Sequence, residues 1–218
     1  HEANPLKESN LDVLREAVRA NGAALGLSFD GDADRCAFVD EEGRTVHADL
    51  ITVILARGFL ERHPGKGIIY DLRSSKVLPE EVTKLGGRPV RERVGHSFMK
   101  ETMRKEDCIG GGELSGHFYF AENFFTDCGV LAAIEVLNQL SKEGRSLKAA
   151  ADELRKYHGT GEVNFKVEDK AQKMKEVEER FADATIDFLD GITITYDDWW
   201  ANVRPSNTEP FLRMCLEA

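Results

Sequence analysis

The chain has 218 residues, of which 41% are hydrophobic and 31% charged, a balance typical of a globular protein with a buried core. Its formal net charge of −10 argues against nucleic acid or an anionic membrane as a partner, so any anion must be bound by local groups of basic side chains. No apolar run approaches membrane-spanning length and no secretory signal pattern opens the sequence, so we expect a cytoplasmic protein.

The four cysteines lie far apart in the sequence, without a C-x-x-C pair: Cys36, Cys108, Cys128 and Cys215. This spacing favours buried thiols in a reducing compartment over a zinc or redox motif. The first residues, His1 to Pro5, contain no initiator methionine and resemble the interior of a longer polypeptide.

Residues 1–46 are predicted to form a helix followed by three extended segments. Ser9 or Asn10 is the expected N-cap, and Asn21-Gly22 ends the helix. Its apolar face comprises Leu11, Leu14, Ala17 and Val18. The extended segments are Ala24 to Phe29, Cys36 to Val39 and Arg44 to His47, the last pairing back across a turn.

Residues 47–156 alternate between strand and helix patterns, which indicates an α/β unit with a mixed sheet. The predicted strands are 67–70, 89–94, 108–109 and 118–120. The predicted helices are 49–60, 76–85, one carrying Phe98 and Met103, 129–140, and 147–155 capped by Ser146.

The pattern changes near residue 156, where we expect a domain boundary. Val163, Phe165 and Val167 alternate with polar residues as in a half-exposed strand, and a charged helix is predicted over 170–181. Antiparallel strands are predicted over 186–189, 192–196 and 199–203. This part is therefore predicted to be a small α+β domain.

The aspartate loop, Asp30 to Arg35, follows the first strand and carries three carboxylates at alternate positions: Asp30, Asp32 and Asp34. Carboxylates this close repel one another unless a hard cation such as Mg²⁺ or Ca²⁺ neutralises them. An EF-hand would need glycine in place of Arg35, and a haloacid-dehalogenase phosphatase would need threonine or a similar residue in place of Asp34. A solvated acidic turn is the remaining alternative, and it does not explain the apolar strand before the loop.

Three further loops carry polar side chains at strand ends, where α/β proteins bind ligands. The arginine–serine loop, Asp71 to Lys76, suits an anion at a helix start, although a plain serine cap also explains it. The glycine–glutamate loop, Gly110 to His117, offers Glu113, Ser115 and His117 near a second predicted loop, Gly95-His96-Ser97, although a glycine turn with a capping serine is the more common explanation. The proline loop, Arg204 to Pro210, combines an arginine fork with hydroxyl and amide groups that suit phosphate, although these are also ordinary turn residues.

Taken together and in this order, these loops resemble the α-D-phosphohexomutase family, most closely its phosphomannomutase/phosphoglucomutase branch. The family motifs D-G-D-x-D-R, G-E-x-S-G-H and R-x-S-N-T-E-P correspond to Asp30–Arg35, Gly112–His117 and Arg204–Pro210. The resemblance implies that residues 1–46 end the second family domain and that 47–156 form the α/β third domain. Residues 157–218 would be the fourth domain, a small α+β fold like the TATA-box-binding protein.

The resemblance also implies a chemistry. Mg²⁺ would be bound by Asp30, Asp32 and Asp34, and a phosphoserine would exchange its phosphoryl group with a hexose 1- or 6-phosphate through a hexose 1,6-bisphosphate intermediate. Arg35 and His117 would lie nearest the reaction. The substrate-binding residues would be Arg73, His96, Glu113, Ser115, Arg204, Ser206, Asn207 and Thr208. Many relatives have lysine in place of Arg73.

One family element has no counterpart in this sequence, the T-x-S-H-x-P segment that carries the phosphoserine. We therefore expect a fragment that is inactive alone and whose partner is the N-terminal part of the same polypeptide. Alternatives are a phosphoglucosamine mutase, whose corresponding loop usually has a glutamine where Leu114 stands, and a non-catalytic sugar-phosphate-binding module. A metal-dependent phosphatase with Asp30 or Asp32 as nucleophile is a third.

Overall fold

The computed structural model describes residues 4–206 and 209–218. The chain divides into two compact units, His1–Lys156 and Tyr157–Ala218, which are described separately. Within the described ranges, no helix is both long enough and apolar enough to cross a bilayer.

The first unit begins with a helix and a small antiparallel sheet in the order β1-β2-β3. The elements are α1 (Asp12–Asn21), β1 (Leu25–Phe29), β2 (Cys36–Asp40) and β3 (Thr45–Val46). All three predicted strands are confirmed. The predicted helix start is wrong, because Ser9 and Asn10 belong to a 3₁₀ turn (Glu8–Leu11) and no side chain caps α1. Leu11 and Val18 are buried as expected, whereas Ala17 is exposed.

The larger sheet of this unit has five strands in the order β5-β4-β6-β7-β8. They are β4 (Gly67–Asp71), β5 (Arg88–Glu92), β6 (Cys108–Gly112), β7 (Phe118–Phe120) and β8 (Thr126–Asp127). The central strand β4 is parallel to β5 and β6, while β7 and β8 are antiparallel additions. The predicted mixed sheet is confirmed, and β8 is a strand that the sequence did not predict.

Helices cover both faces of this sheet. They are α2 (Ala48–Arg62), α3 (Val77–Lys84), α4 (His96–Lys105), α5 (Gly129–Glu143) and α6 (Leu147–Leu154). On one face, Phe59 of α2 packs edge-on against Phe120. Met99 and Met103 of α4 belong to a buried cluster with Ile69 of β4 and Tyr119 of β7. Ser146 accepts a hydrogen bond from the Ala149 N–H and caps α6 as predicted.

The glycines of β6 correct one prediction, since Gly110–Gly112 were expected to form a loop and instead lie in the strand. A Cβ at Gly111 would lie 1.9 Å from the Ile69 carbonyl oxygen, and one at Gly110 would lie 2.4 Å from the Phe59 ring. Glycine here therefore allows β6 to pack closely against β4 and α2, rather than making a flexible turn.

The second unit is an antiparallel sheet in the order β10-β11-β12-β13-β9 with one exposed helix. Its strands are β9 (Val163–Lys166), β10 (Thr185–Asp187), β11 (Ile192–Thr195), β12 (Trp200–Pro205) and β13 (Phe211–Glu217); the helix is α7 (Lys170–Arg180). Asp169 caps α7 by accepting the Gln172 N–H. The predicted α+β character is confirmed. The sequence did not predict β13, whose buried positions depart from strict alternation.

Candidate active site

The aspartate loop is the tip of the β1–β2 hairpin, closed by the Phe29–Cys36 pair. Its turn places Ala33 in the left-handed region, at φ 60°. One carboxylate oxygen from each of Asp30, Asp32 and Asp34 lies within 4.8 Å of the other two. The structure therefore brings together the three carboxylates that the sequence singled out.

Arg35 neutralises one of these carboxylates. Its backbone N–H and Nε donate to Asp30 at 3.1 and 2.6 Å. Burial alone would raise the pKa of Asp30, but the hydrogen bonds from Arg35 outweigh it and hold the pKa below its usual value. Asp30 is therefore an ionised carboxylate at neutral pH.

Asp34 is less well compensated, since Arg35 Nε lies 3.9 Å from its Oδ1. Burial raises its pKa, and the nearby Asp30 and Asp32 add to the rise, although the charge of His117 opposes it. Asp34 Oδ1 is buried and accepts no hydrogen bond from the residues that the structure describes. A clustered carboxylate set with an oxygen that lacks a donor fits a hard divalent cation such as Mg²⁺, which prefers oxygen ligands.

The glycine–glutamate loop lies directly beside the aspartate loop. The Cys36 N–H donates to the Gly116 carbonyl at 3.0 Å, and Arg35 and His117 form an isolated antiparallel bridge. His117 Nε2 consequently lies 3.6 Å from Asp34 Oδ2, and its Nδ1 lies 2.7 Å from Ser115 Oγ. The aspartate loop and the glycine–glutamate loop, which are far apart in sequence, therefore lie next to each other in the first unit.

Glu113 is 2% exposed and is held by two hydrogen bonds. Its Oε1 accepts the Gly95 N–H at 3.0 Å, and its Oε2 accepts the Tyr119 hydroxyl at 2.5 Å. Burial and the adjacent carboxylate raise the pKa of Tyr119, so this hydroxyl stays a donor. Glu113 therefore also orders the backbone at Gly95, the residue before α4.

His96 is the first residue of α4, although the sequence analysis placed it in a loop. Its side chain is 60% exposed, and its Nδ1 lies 3.9 Å from Asp127 Oδ2. The rings of His96 and His117 have their centroids 6.2 Å apart. His96 therefore joins the same group of side chains.

Asp127 and Lys100 are members of this group that the sequence analysis missed. Lys100 Nζ lies 2.7 Å from Asp127 Oδ1, while Asp127 Oδ2 lies 4.0 Å from His117 Nε2. Two consecutive residues with left-handed backbone, Phe124 (φ 56°) and Phe125 (φ 62°), redirect the chain just before Asp127. A lone aspartate in a two-residue strand gives no periodic signal, so no sequence pattern marks it.

Arg73 is folded onto a carboxylate of its own loop. Its guanidinium donates to Asp71 Oδ1 at 3.1 Å and to Oδ2 at 2.8 Å. Asp71 also accepts the Leu114 N–H at 2.8 Å, which ties the arginine–serine loop to the glycine–glutamate loop. Burial opposes ionisation of Asp71, but Arg73 and the backbone donors outweigh it and lower the pKa. Ser75 Oγ accepts the Val77 N–H at 3.2 Å, although Ser75 is not the N-cap residue of α3.

In the second unit, Arg204 donates to Glu162 at 2.6 Å. Arg213, which the sequence analysis missed, contacts the same carboxylate at 3.2 Å. Ser206 is buried, and its carbonyl accepts a hydrogen bond from Lys170 at 2.8 Å. The other two predicted phosphate ligands, Asn207 and Thr208, lie outside the described residues. The described part of the proline loop is therefore a basic region, and Glu162 neutralises part of its positive charge.

Comparison with family models gives a match along most of the chain. The model described as phosphoglucomutase/phosphomannomutase, alpha/beta/alpha domain III, matches residues 47–157. The models for alpha/beta/alpha domain II and for the C-terminal domain of the same family match 1–43 and 162–218.

Curated phosphomannomutases match nearly the whole chain. The phosphomannomutase of Methanocaldococcus jannaschii is 42% identical over 218 residues, covering 100% of this chain and 49% of that protein. The phosphomannomutase of Salmonella montevideo is 39% identical, covering 99% of this chain and 48% of its own length. The chain spans about half the length of the curated relatives it matches.

Solved structures have the same fold. A phosphoglucomutase/phosphomannomutase family protein from Burkholderia thailandensis superimposes with a TM-score of 0.90 at 29% identity, covering 100% of this chain and 47% of that one. The N-acetylphosphoglucosamine mutase of Aspergillus fumigatus, solved with GlcNAc-6P and magnesium, gives a TM-score of 0.64 at 17% identity, covering 88% of this chain and 48% of that one. The second likeness shows the fold alone.

Proposed function

Because the chain belongs to the phosphoglucomutase/phosphomannomutase family, we propose that it is the C-terminal part of a mutase that interconverts hexose 6-phosphate and hexose 1-phosphate, with mannose or glucose as the sugar. The observation that carries the proposal is the meeting of the three loop aspartates with His117 in one unit. Residues 1–46, 47–156 and 157–218 would be the end of one domain and two further domains of a cytoplasmic protein.

The aspartate loop would hold the metal ion of this reaction. Asp30, Asp32 and Asp34 offer an oxygen-only ligand set, which suits Mg²⁺. When bound there, Mg²⁺ would neutralise charge on the transferred phosphoryl group.

His117 would move the proton of the reacting sugar hydroxyl. Ser115 lies within hydrogen-bond distance of Nδ1, so a proton on Nδ1 shared with Ser115 leaves Nε2 free to accept one. Arg35, which lies next to His117 across the loop bridge, would stabilise the negative charge of the phosphoryl group.

The remaining predicted residues would bind the substrate, with the roles that the family resemblance implies. Glu113 and Ser115 would contact the sugar hydroxyls, and His96 and Arg73 would line the site. Arg204, Ser206, Asn207 and Thr208 would bind the phosphate that does not react. The phosphoryl donor would be a serine in the N-terminal part of the longer polypeptide, with hexose 1,6-bisphosphate as intermediate and activator.

Two measurements test the proposal. First, the isolated chain is titrated with mannose 6-phosphate and glucose 6-phosphate in Mg²⁺ by calorimetry, with glucosamine 6-phosphate as the comparison. We expect binding of the first two and weaker binding of the third. Binding of none of them, or preference for glucosamine 6-phosphate, contradicts the assignment.

Second, the chain is fused behind the N-terminal part of the Methanocaldococcus jannaschii phosphomannomutase, with the intact relative as positive control. The folded fusion should have mutase activity, its Asp32→Asn variant should lose at least a hundredfold, and the isolated chain should have none. Turnover by the isolated, mass-verified chain would refute the need for a donor outside it.

A further inference from the structure

We propose a second cation site, formed by Asp34, His117 and Asp127, that binds late first-row transition ions such as Zn²⁺. We refer to these three residues as the histidine–aspartate cluster. It shares Asp34 with the three-aspartate site but uses a nitrogen ligand, and its other two residues belong to different segments of the chain.

The geometry of the histidine–aspartate cluster suits a small ion. One ligand atom from each residue lies within 4.8 Å of the other two. His117 Nε2 is 3.6 Å from Asp34 Oδ2 and 4.0 Å from Asp127 Oδ2. Ligand bonds of about 2.0–2.1 Å in a tetrahedral zinc site place neighbouring ligand atoms roughly 3.3 Å apart. Small side-chain rotations would therefore close the cluster around an ion.

Asp127 supplies an independent reason to expect a ligand. Its side chain is only 6% exposed, and Lys100 Nζ lies 2.7 Å from its Oδ1. The other oxygen, Oδ2, is buried and accepts no hydrogen bond from any described residue, although it lies toward the rings of His117 and His96. Buried carboxylate oxygens are normally satisfied by a donor or a metal ion.

The ligand types distinguish this site from the three-aspartate site. One imidazole nitrogen with two carboxylates suits Zn²⁺ or Co²⁺, whereas Mg²⁺ prefers oxygen ligands and water. His96 is exposed, and its Nδ1 lies 3.9 Å from Asp127 Oδ2, so its rotation can add a fourth ligand.

Occupation of this site would inhibit the mutase. The ion would take the Nε2 lone pair of His117 and one oxygen of Asp34, which the reaction needs. This consequence rests on the proposed function, whereas the binding of the ion does not.

The experiment is a titration of the 218-residue chain with Co²⁺, followed by its visible d–d absorption, and then displacement by Zn²⁺. Asp127→Asn removes a ligand of the second site only, and Asp32→Asn removes a ligand of the three-aspartate site only. We expect at least a tenfold loss of Zn²⁺ affinity in D127N and less than a twofold change in D32N. Unchanged affinity in D127N, or a loss confined to D32N, overturns the proposal.

A second measurement uses the wild-type chain, so its result does not depend on whether a variant folds. In ¹⁵N-labelled wild-type chain, Zn²⁺ should shift the imidazole Nε2 resonance of His117, and an unchanged resonance at saturating Zn²⁺ also overturns the proposal. Because neither assay contains a hexose phosphate, a chain that binds Zn²⁺ here but no sugar phosphate would support the cation site and contradict the proposed function.

Discussion

Gly129 lies directly against Ala33 of the aspartate loop, with its N–H donating to the Ala33 carbonyl at 3.0 Å. A Cβ built on Gly129 would lie 2.8 Å from the Arg35 carbonyl oxygen and 3.0 Å from that of Ala33. The start of α5 therefore fixes the backbone of the loop, and only glycine allows so close an approach.

Gly129→Ala should displace the aspartate loop and weaken Mg²⁺ binding. We expect at least a tenfold loss of affinity, equivalent to about 1.4 kcal/mol, measured by calorimetry on the isolated chain. The matched control is Gly31→Ala in the same loop, because a Cβ there has no atom within 4 Å. Equal affinities for G129A and wild type would mean that α5 does not position the loop.

Tyr119→Phe should destabilise the first unit. The change removes the hydroxyl that donates to the buried Glu113 at 2.5 Å and leaves a carboxylate oxygen without its donor. Such a loss costs about 1–3 kcal/mol, which urea unfolding followed by circular dichroism can measure. Tyr196→Phe is the control, because its hydroxyl bonds Asp183 on the surface, and its effect should be within experimental error. An equal loss in both variants would contradict the prediction.

Asp71 should make stability depend on pH in the acid range. Its folded-state pKa is below the ordinary value of 3.8, so the ionised carboxylate stabilises the fold above that pH. This contribution is lost as pH falls through 3.8 toward the folded-state pKa. The difference in free energy of unfolding between wild type and Asp71→Asn should therefore be constant from pH 5 to 7 and shrink below 3.8. A difference that grows as the pH falls would contradict the prediction that ionised Asp71 stabilises the fold.

The cysteines should differ in reactivity. Burial raises the pKa of both Cys36 and Cys108 to about 12, which leaves almost no thiolate at pH 8. Cys128 is only partly buried. In native protein, a chromogenic disulfide reagent at pH 8 should modify Cys128 first, and Cys128→Ser should remove that phase. Rapid reaction of Cys36 or Cys108, identified by peptide mass, would contradict this.

The sequence was sufficient to predict most elements and the α/β and α+β classes, because those follow from local periodicity. Helix α2 has a broad apolar face, strand β4 is an apolar run that ends in Asp71, and turn residues bound both. The aspartate loop was also predictable, because three carboxylates at alternate positions are an unusual composition for a turn between two strands.

Features set by contacts distant in sequence were not predictable. The glycines of β6 have turn-like composition, and only the proximity of Ile69 and Phe59 explains why they lie in a strand. Asp127 reaches the histidine–aspartate cluster through two left-handed residues that no pattern indicates. The role of Glu113 in holding Tyr119 likewise depends on the antiparallel pairing of β6 with β7.

The packing at β6 also has a consequence at the level of the gene. Every amino-acid replacement reachable from a glycine codon by one base change introduces a Cβ, and at Gly111 that atom would lie 1.9 Å from the Ile69 carbonyl oxygen. A random-mutagenesis library selected for folded protein should therefore lose missense changes at Gly111 and retain them at Gly31. Only synonymous substitutions would therefore be tolerated in the codon for Gly111.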